Sequence, residues 1–221
     1  MRDEKRKIEA IVQEEVAKRG PSFLTDRLLD VLNLDSKQEK PMVDLLDGRS
    51  TYLAGPIEFA DDGGFGWRND ITPWLENMFN IEVLDPNYKS RFFHMDVYNE
   101  GDCDEYLDEL CSTGKFDELS EVMSRKIAHP DLRLVDKADF LICRFLKGVV
   151  SVGTLDEAFK AKDQKKPVIW FTDCRKEEMP YWMFHRFDHN MWFNSVDDIY
   201  GYLRDVDSGF LSEYELGYWC L

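Results

Sequence analysis

Positive charge is scarce in this chain. Its 28 Lys and Arg stand against 44 Asp and Glu, a formal net charge of −16, and that mean field repels nucleic-acid backbones because phosphate binding rests on cations neutralising charge. A nucleic-acid polymer is therefore excluded as a partner, and a nucleotide ligand would need a local pocket. A Cys-x-x-Cys spacing is also missing. The five cysteines stand at positions 103, 111, 143, 174 and 220, with Cys143 inside an apolar strand pattern, so reduced thiols in a cytosol-like compartment are expected. The charged start, Met1-Arg2-Asp3-Glu4-Lys5-Arg6-Lys7, is followed by no apolar segment long enough for a signal peptide or a membrane span. A cytoplasmic protein with no membrane partner is the expectation. Neither Gly-x-Gly-x-x-Gly nor Gly-x-x-x-x-Gly-Lys-Ser/Thr occurs, which removes the dinucleotide fingerprint and the P-loop.

What is present suffices for one core. At 221 residues and 43% hydrophobic content the chain can build one α/β domain with appendages. Ile8, Ile11, Val12 and Val16, then Leu24, Leu28, Leu29 and Leu32, fall at helical spacing and predict a helical extension over residues 1–48. The main domain is expected over 49–204 and a tail over 205–221. Strands are expected over residues 50–57, 81–86, 139–145, 168–171 and 191–193. Helices are expected over 67–79, 115–128, 131–137, 154–161 and 195–203, with a break and restart at His129-Pro130 and a cap at Ser195 with Asp198. Residues 88–114, acidic and aromatic, read as an insertion, a lid or a subunit contact. Alternating strands and helices predict a parallel sheet.

Chemistry-bearing residues collect at the ends of these strands. Gly153-Thr154-Leu155-Asp156-Glu157 follows the apolar run Phe140 to Phe145 across a loop, which puts Glu157 at the mouth of the sheet, where open α/β folds bind ligands. Tyr52 and Gly55 end the first strand, and Gly55 would let a backbone approach a ligand. Asp131 opens a helix. His94, Cys103 and Cys111 do not have zinc-ligand spacing, and His185 and His189, four apart, read as packing or surface groups, so no metal is expected.

Taken in order, several pieces resemble the nucleoside 2-deoxyribosyltransferase family and its relatives, the 2′-deoxynucleoside 5′-phosphate N-hydrolases. They are Tyr52-Leu53-Ala54-Gly55-Pro56; Trp67-Arg68; Asp131-Leu132 ahead of Ala138-Asp139-Phe140-Leu141-Ile142; Gly153-Thr154-x-x-Glu157; and Lys166-Pro167-Val168. The match covers residues 52–203, interrupted by the insertion. The resemblance implies a flavodoxin-like sheet of about five strands and no cofactor. It also implies a homo-oligomer whose active sites are completed by a neighbouring subunit through residues beyond the fourth strand, here 179–194. The family's nucleophile falls on Glu157, the tyrosine that holds it on Tyr52, and the aspartate that serves the leaving base or the sugar on Asp131. Gly55, Pro56, Ile57, Arg68, Ser151, Gly153 and Thr154 are the expected substrate contacts.

The chemistry is coherent on its own terms. Cleaving a deoxyribose N-glycosidic bond builds positive charge at C1′, which a carboxylate can trap as a glycosyl-enzyme while a second group meets the departing base. Ser151, six residues before Glu157, matches the serine by which the nucleotide hydrolases of the family meet a 5′-phosphate, where the transferases carry an acid. The helix start at Thr154 and either Arg68 or Arg144 could also hold phosphate. The sequence therefore leans to a deoxynucleoside 5′-monophosphate N-hydrolase, with a deoxyribosyltransferase proper as the alternative. A non-catalytic nucleotide sensor and a glycosidase acting on a nicotinamide-type ribosyl ligand are further readings. Against the phosphate stands the acidic early loop, Glu58 to Gly66.

Overall fold

The computed structural model describes residues 44–94, 96–99, 103–211 and 217–219, all within the unit that runs from Met42 to Leu221. The helices expected before residue 44 lie outside the described residues, as do parts of the expected insertion and tail.

The apolar runs pair into one parallel sheet of five strands: β1 (Ser50–Ala54), β2 (Glu82–Leu84), β3 (Phe140–Phe145), β4 (Val168–Thr172) and β5 (Trp192–Phe193). Their order is β2-β1-β3-β4-β5, the flavodoxin-like order. Tyr52 stands beside Leu84 on one side and Leu141 on the other, and Cys143 pairs with Trp170. β1 is buried along its whole length, which is why the inner strands read as continuous apolar runs rather than alternating ones. Alternate side chains enter opposite cores. Tyr52, Ala54, Leu141 and Cys143 join one cluster with Leu134, Ala158 and Trp170, while Leu53, Phe140 and Ile142 join the other with Ile71, Leu75, Ile199 and Leu203.

Two helices cover each face. α1 (Phe65–Phe79) supplies Ile71 and Leu75 to the second cluster, and α2 (Asp104–Ser112) and α3 (Phe116–Val122) follow β2 in the chain. Next come α4 (His129–Lys137) and α5 (Val152–Asp163), which supply Leu134 and Ala158 to the first cluster. After β4 the short helix α6 (Tyr181–Arg186) leads to β5, and α7 (Val196–Asp207) closes the second face. The Ser195 hydroxyl caps α7 by accepting from the Asp198 N–H at 3.1 Å. Among the described residues no helix is long and apolar enough to cross a membrane.

Two expectations are corrected. The chain does not break at His129-Pro130. A π-helical segment, Met123–Ala128, joins α3 to α4 without leaving helical backbone angles, and the His129 N–H bonds back five residues to Ser124. A proline ring collides with the carbonyl four residues before it in an ordinary helix and offers no N–H to it. Here the wide turn lies just ahead of Pro130, and the carbonyl four residues back, Lys126, accepts from the Tyr98 N–H at 3.2 Å. The second correction is at α5, which starts at Val152, so Gly153 sits in its first turn rather than in the preceding loop.

The packing predicts where substitutions hurt. Ile142→Ala, at a fully buried position, lowers the unfolding free energy by about 2–5 kcal/mol in a denaturant titration, whereas Met78→Ala on the exposed face of α1 changes it by about 0.5 kcal/mol or less. Equal effects would contradict this sheet.

Candidate functional site

The strand order reverses between β1 and β3, so their C-terminal ends diverge and leave a crevice. A cleft of about 490 Å³ opens there. Gly55, Pro56 and Ile57 form one wall, Ser151, Gly153, Thr154 and Glu157 from the start of α5 form a second, and Asp131 from α4 joins Met123 and Ile127 on a third.

Tyr52 lies beneath Glu157. Its position in β1 sends the ring to the α5 face of the sheet, where it is fully buried, and its hydroxyl donates to Glu157 Oε1 at 2.7 Å. A bond to a carboxylate is among the stronger neutral-donor contacts, and it fixes one oxygen so that the other edge of the carboxylate is oriented. Below the pair is Cys143. Burial, with the Glu157 charge adding to it, pushes its thiol well up, so the sulfur stays protonated and does not compete as a nucleophile.

Asp131 is buried in the first turn of α4 and pairs with Lys89, whose Nζ lies 2.7 Å from Asp131 Oδ2. The Lys89 side chain is 0% exposed. Sequence reasoning missed this residue because it falls in the stretch read as an insertion. A 3₁₀ turn, Pro86–Arg91, runs into that stretch, and the Asp85 carboxylate caps it by accepting from the Asn87 N–H at 2.9 Å. Asp85-Pro86 after an apolar run is a helix-start signal, and it was the clue available in the sequence.

Arg68 goes elsewhere. It is fully buried and absent from the cleft wall, with Nε donating to Leu53 O at 3.1 Å, Nη1 to Gly64 O at 2.7 Å and Nη2 to Gly55 O at 3.1 Å, while Asp85 Oδ1 stands 3.6 Å from Nε. The guanidinium ties the end of β1 to the loop that enters α1; its donors serve carbonyls, not a phosphate. Gly55, on the cleft wall, is also constrained by packing. A Cβ there would lie 2.9 Å from Arg144 Cβ and 3.0 Å from the Trp67 ring, so packing demands the glycine. Gly153 is the opposite case, with nothing within 4 Å of where a Cβ would be.

Ser151 precedes α5 in the N-cap position, but its hydroxyl pairs with the Thr154 hydroxyl at 2.6 Å instead of capping a backbone N–H. The charge on the walls is negative. Glu58, Asp131, Asp156 and Glu157 line the cleft, and no Lys, Arg or His is among the described residues that do. Arg144 borders a smaller cavity of about 200 Å³ that shares Pro56, Val150, Ser151, Val152 and Thr154 with the cleft. Its guanidinium lies 3.7 Å from the centre of the Phe171 ring, and burial lowers its pKa. His185 and His189 do not share a helix, because α6 ends at Arg186; each ring sits against an aromatic, Trp182 and Phe184 respectively.

The chain is similar to two 2-deoxyribosyltransferases of known structure. One is the 2-desoxiribosyltransferase from Leishmania mexicana, at 15% identity and a TM-score of 0.46, with 71% of this chain and 97% of that chain covered. The other is the 2-deoxyribosyltransferase from the psychrotolerant bacterium Bacillus psychrosaccharolyticus, at 18% identity and a TM-score of 0.43, with 70% and 95% covered. No protein-family model and no curated protein matches the chain. The chemistry of the site rests on its own geometry.

Arg68→Met separates a clamp from a phosphate contact. As a clamp it leaves Asp85 and three carbonyls without the guanidinium, and chemical denaturation should show a loss of about 3–5 kcal/mol. Unchanged stability would return Arg68 to the list of ligand contacts.

Proposed function

We propose that this chain cleaves the N-glycosidic bond of a 2′-deoxynucleoside or its 5′-monophosphate, or exchanges the base, through a glycosyl ester on Glu157. The observation that carries the reading is the 2.7 Å bond from the buried Tyr52 hydroxyl to the Glu157 carboxylate at the wall of the switch-point cleft. As the C1′–N bond breaks, its electron pair leaves with the base and C1′ becomes electron-poor. An oriented Glu157 oxygen then closes on C1′. Asp131, across the cleft, is the group we assign to the base or the sugar. Water attacking the ester gives the hydrolase, and a second base gives the transferase.

The lean toward a 5′-phosphate is supported by Ser151, Thr154 and the start of α5, where backbone N–H groups and the helix dipole favour an anion. The four carboxylates on the walls favour an uncharged nucleoside. Deoxyadenosine and deoxycytidine, each with and without the 5′-phosphate, decide between them by comparison of base release. A homo-oligomer belongs to the same reading. Tyr181 and Trp182 on α6, in the region expected to serve a neighbouring subunit, are 90% and 70% exposed, an apolar surface suited to a second copy.

Chromatography of released base tests the reaction. Glu157→Ala should lower release by at least about 10³-fold with the circular-dichroism spectrum unchanged, and Tyr52→Phe by about 10–100-fold, the worth of a hydrogen bond to a charged group. Full activity in the Glu157 variant would remove the nucleophile. Tight nucleotide binding without any base release would favour the sensor reading. Gly153→Val, placed where a side chain meets no protein atom, should raise KM for the substrate while leaving the melting temperature within a few degrees.

A further inference from the structure

We infer that Glu58 is a specificity-determining residue whose carboxylate accepts from an exocyclic amino group of the base, so that the cleft selects amino-bearing bases such as adenine and cytosine over bases without a donor at that position. The inference rests on the proposed reaction and names the class of base that the reaction releases.

The direction of attack places the base. A nucleophile that displaces a base at C1′ approaches the face opposite the departing group. With Glu157 on the α5 wall, the base lies toward the other two walls, which carry Ile57, Glu58 and Phe59 after β1, and Met123 and Ile127 ahead of α4. The apolar side chains there match the flat faces of an aromatic base. Phe59 and Met123 are 60% and 38% exposed, so they mark the mouth of the cleft, whereas Asp131 and the Tyr52 ring that meets Glu157 are buried. The amino groups of adenine and cytosine stand on the edge remote from the glycosidic nitrogen. They therefore point to the mouth when C1′ is at Glu157.

The polar chemistry of the cleft is one-sided. An ionised carboxylate accepts hydrogen bonds and cannot donate them. Of the four carboxylates on the walls, Glu157 accepts from Tyr52, Asp131 pairs with Lys89, and Asp156 shares the α5 wall with Glu157. Glu58 is the one at the mouth on the base side, exposed and next to Phe59. Among the described residues that line the cleft, the neutral side chains able to donate are Ser151 and Thr154, which bond to each other on the α5 wall. A base edge with an amino group thus finds an acceptor at Glu58, while a carbonyl in the same place meets a like charge and no side-chain donor. The 5′ position lies on the far side of the sugar from the base, so the selection holds with or without a phosphate.

Pairs of substrates that differ at the amino group test this. They are 2′-deoxyadenosine against purine 2′-deoxyriboside, and 2′-deoxycytidine against 2′-deoxyuridine, each also as the 5′-monophosphate. Base release gives kcat/KM, and calorimetry on the full chain gives Kd, for wild type, Glu58→Ala, Glu58→Gln and, on the opposite wall, Asp156→Ala. The intrinsic reactivity of each base cancels when the ratio within a pair is compared between proteins. Removing the Glu58 carboxylate should shrink the preference for the amino-bearing member roughly tenfold, the lower range for a hydrogen bond to a charged group. Glu58→Gln, whose amide also donates, should narrow the gap between deoxycytidine and deoxyuridine by favouring deoxyuridine. Asp156→Ala should leave both ratios as in wild type. Ratios that stay at the wild-type value in both Glu58 variants, or that fall equally in the Asp156 variant, overturn the inference while the reaction reading stands. If wild type binds the probes but releases no base, the reaction reading falls and the ratios of Kd still decide the role of Glu58. Failure to bind any probe overturns both.

Discussion

The buried guanidinium of Arg68 is the constraint on which the ligand-facing end of the sheet depends. It reaches the last turn of β1 through Leu53 and Gly55, the entry to α1 through Gly64, and the end of β2 through Asp85. A planar group with donors in fixed directions can satisfy three carbonyls at a strand end and its following loop at once, which a flexible ammonium cannot. That loop carries Gly55, Pro56 and Ile57 into the cleft, so the shape of one wall is set from underneath by a residue that does not itself line the cleft.

A second buried pair performs the corresponding task on the opposite side. Arg68 with Asp85 and Lys89 with Asp131 flank the C-terminal ends of β1 and β2, one holding backbone and one holding a carboxylate that faces the cleft. Burial pushes the Asp85 carboxyl up in spite of the Arg68 charge, a sign that desolvation outweighs attraction there. Such pairs add little net stability compared with apolar replacements, and what they supply here is position. The walls they position are acidic, and an acidic site suits chemistry that passes through a positively charged sugar.

Much of this was legible in the sequence because the signals are local or periodic. The strands are buried on both faces, so they announce themselves as apolar runs, and the alternation with helices sets the parallel sheet. Glu157, Tyr52 and Asp131 stood out because each lies at a strand end or helix start; Glu157 and Asp131 line one crevice, and Tyr52 is buried against Glu157. The carbonyl partners of Arg68 and the close packing around Gly55 could not be read ahead, since a side chain's partners across the loop do not show in its neighbours along it. Lys89 was missed for the same cause. A lysine among aromatic and acidic residues reads as solvated surface until the chain folds α4 over it. The π segment was illegible too, because Pro130 normally signals a break.

That wide turn carries a geometric consequence for the whole wall. A π segment inserts one residue more per turn than an α-helix, and one residue corresponds to about 100° of rotation around the helix axis. Met123–Ala128 sits just before Asp131, so it sets the phase of α4 relative to α3. With an ordinary turn in its place, Asp131 would swing away from Lys89 and the cleft while Leu134 and Val135 left the core beneath the sheet. The extra residue is a phase shifter: it lets one continuous rod present an exposed acidic surface at one end and a ligand-facing carboxylate at the other.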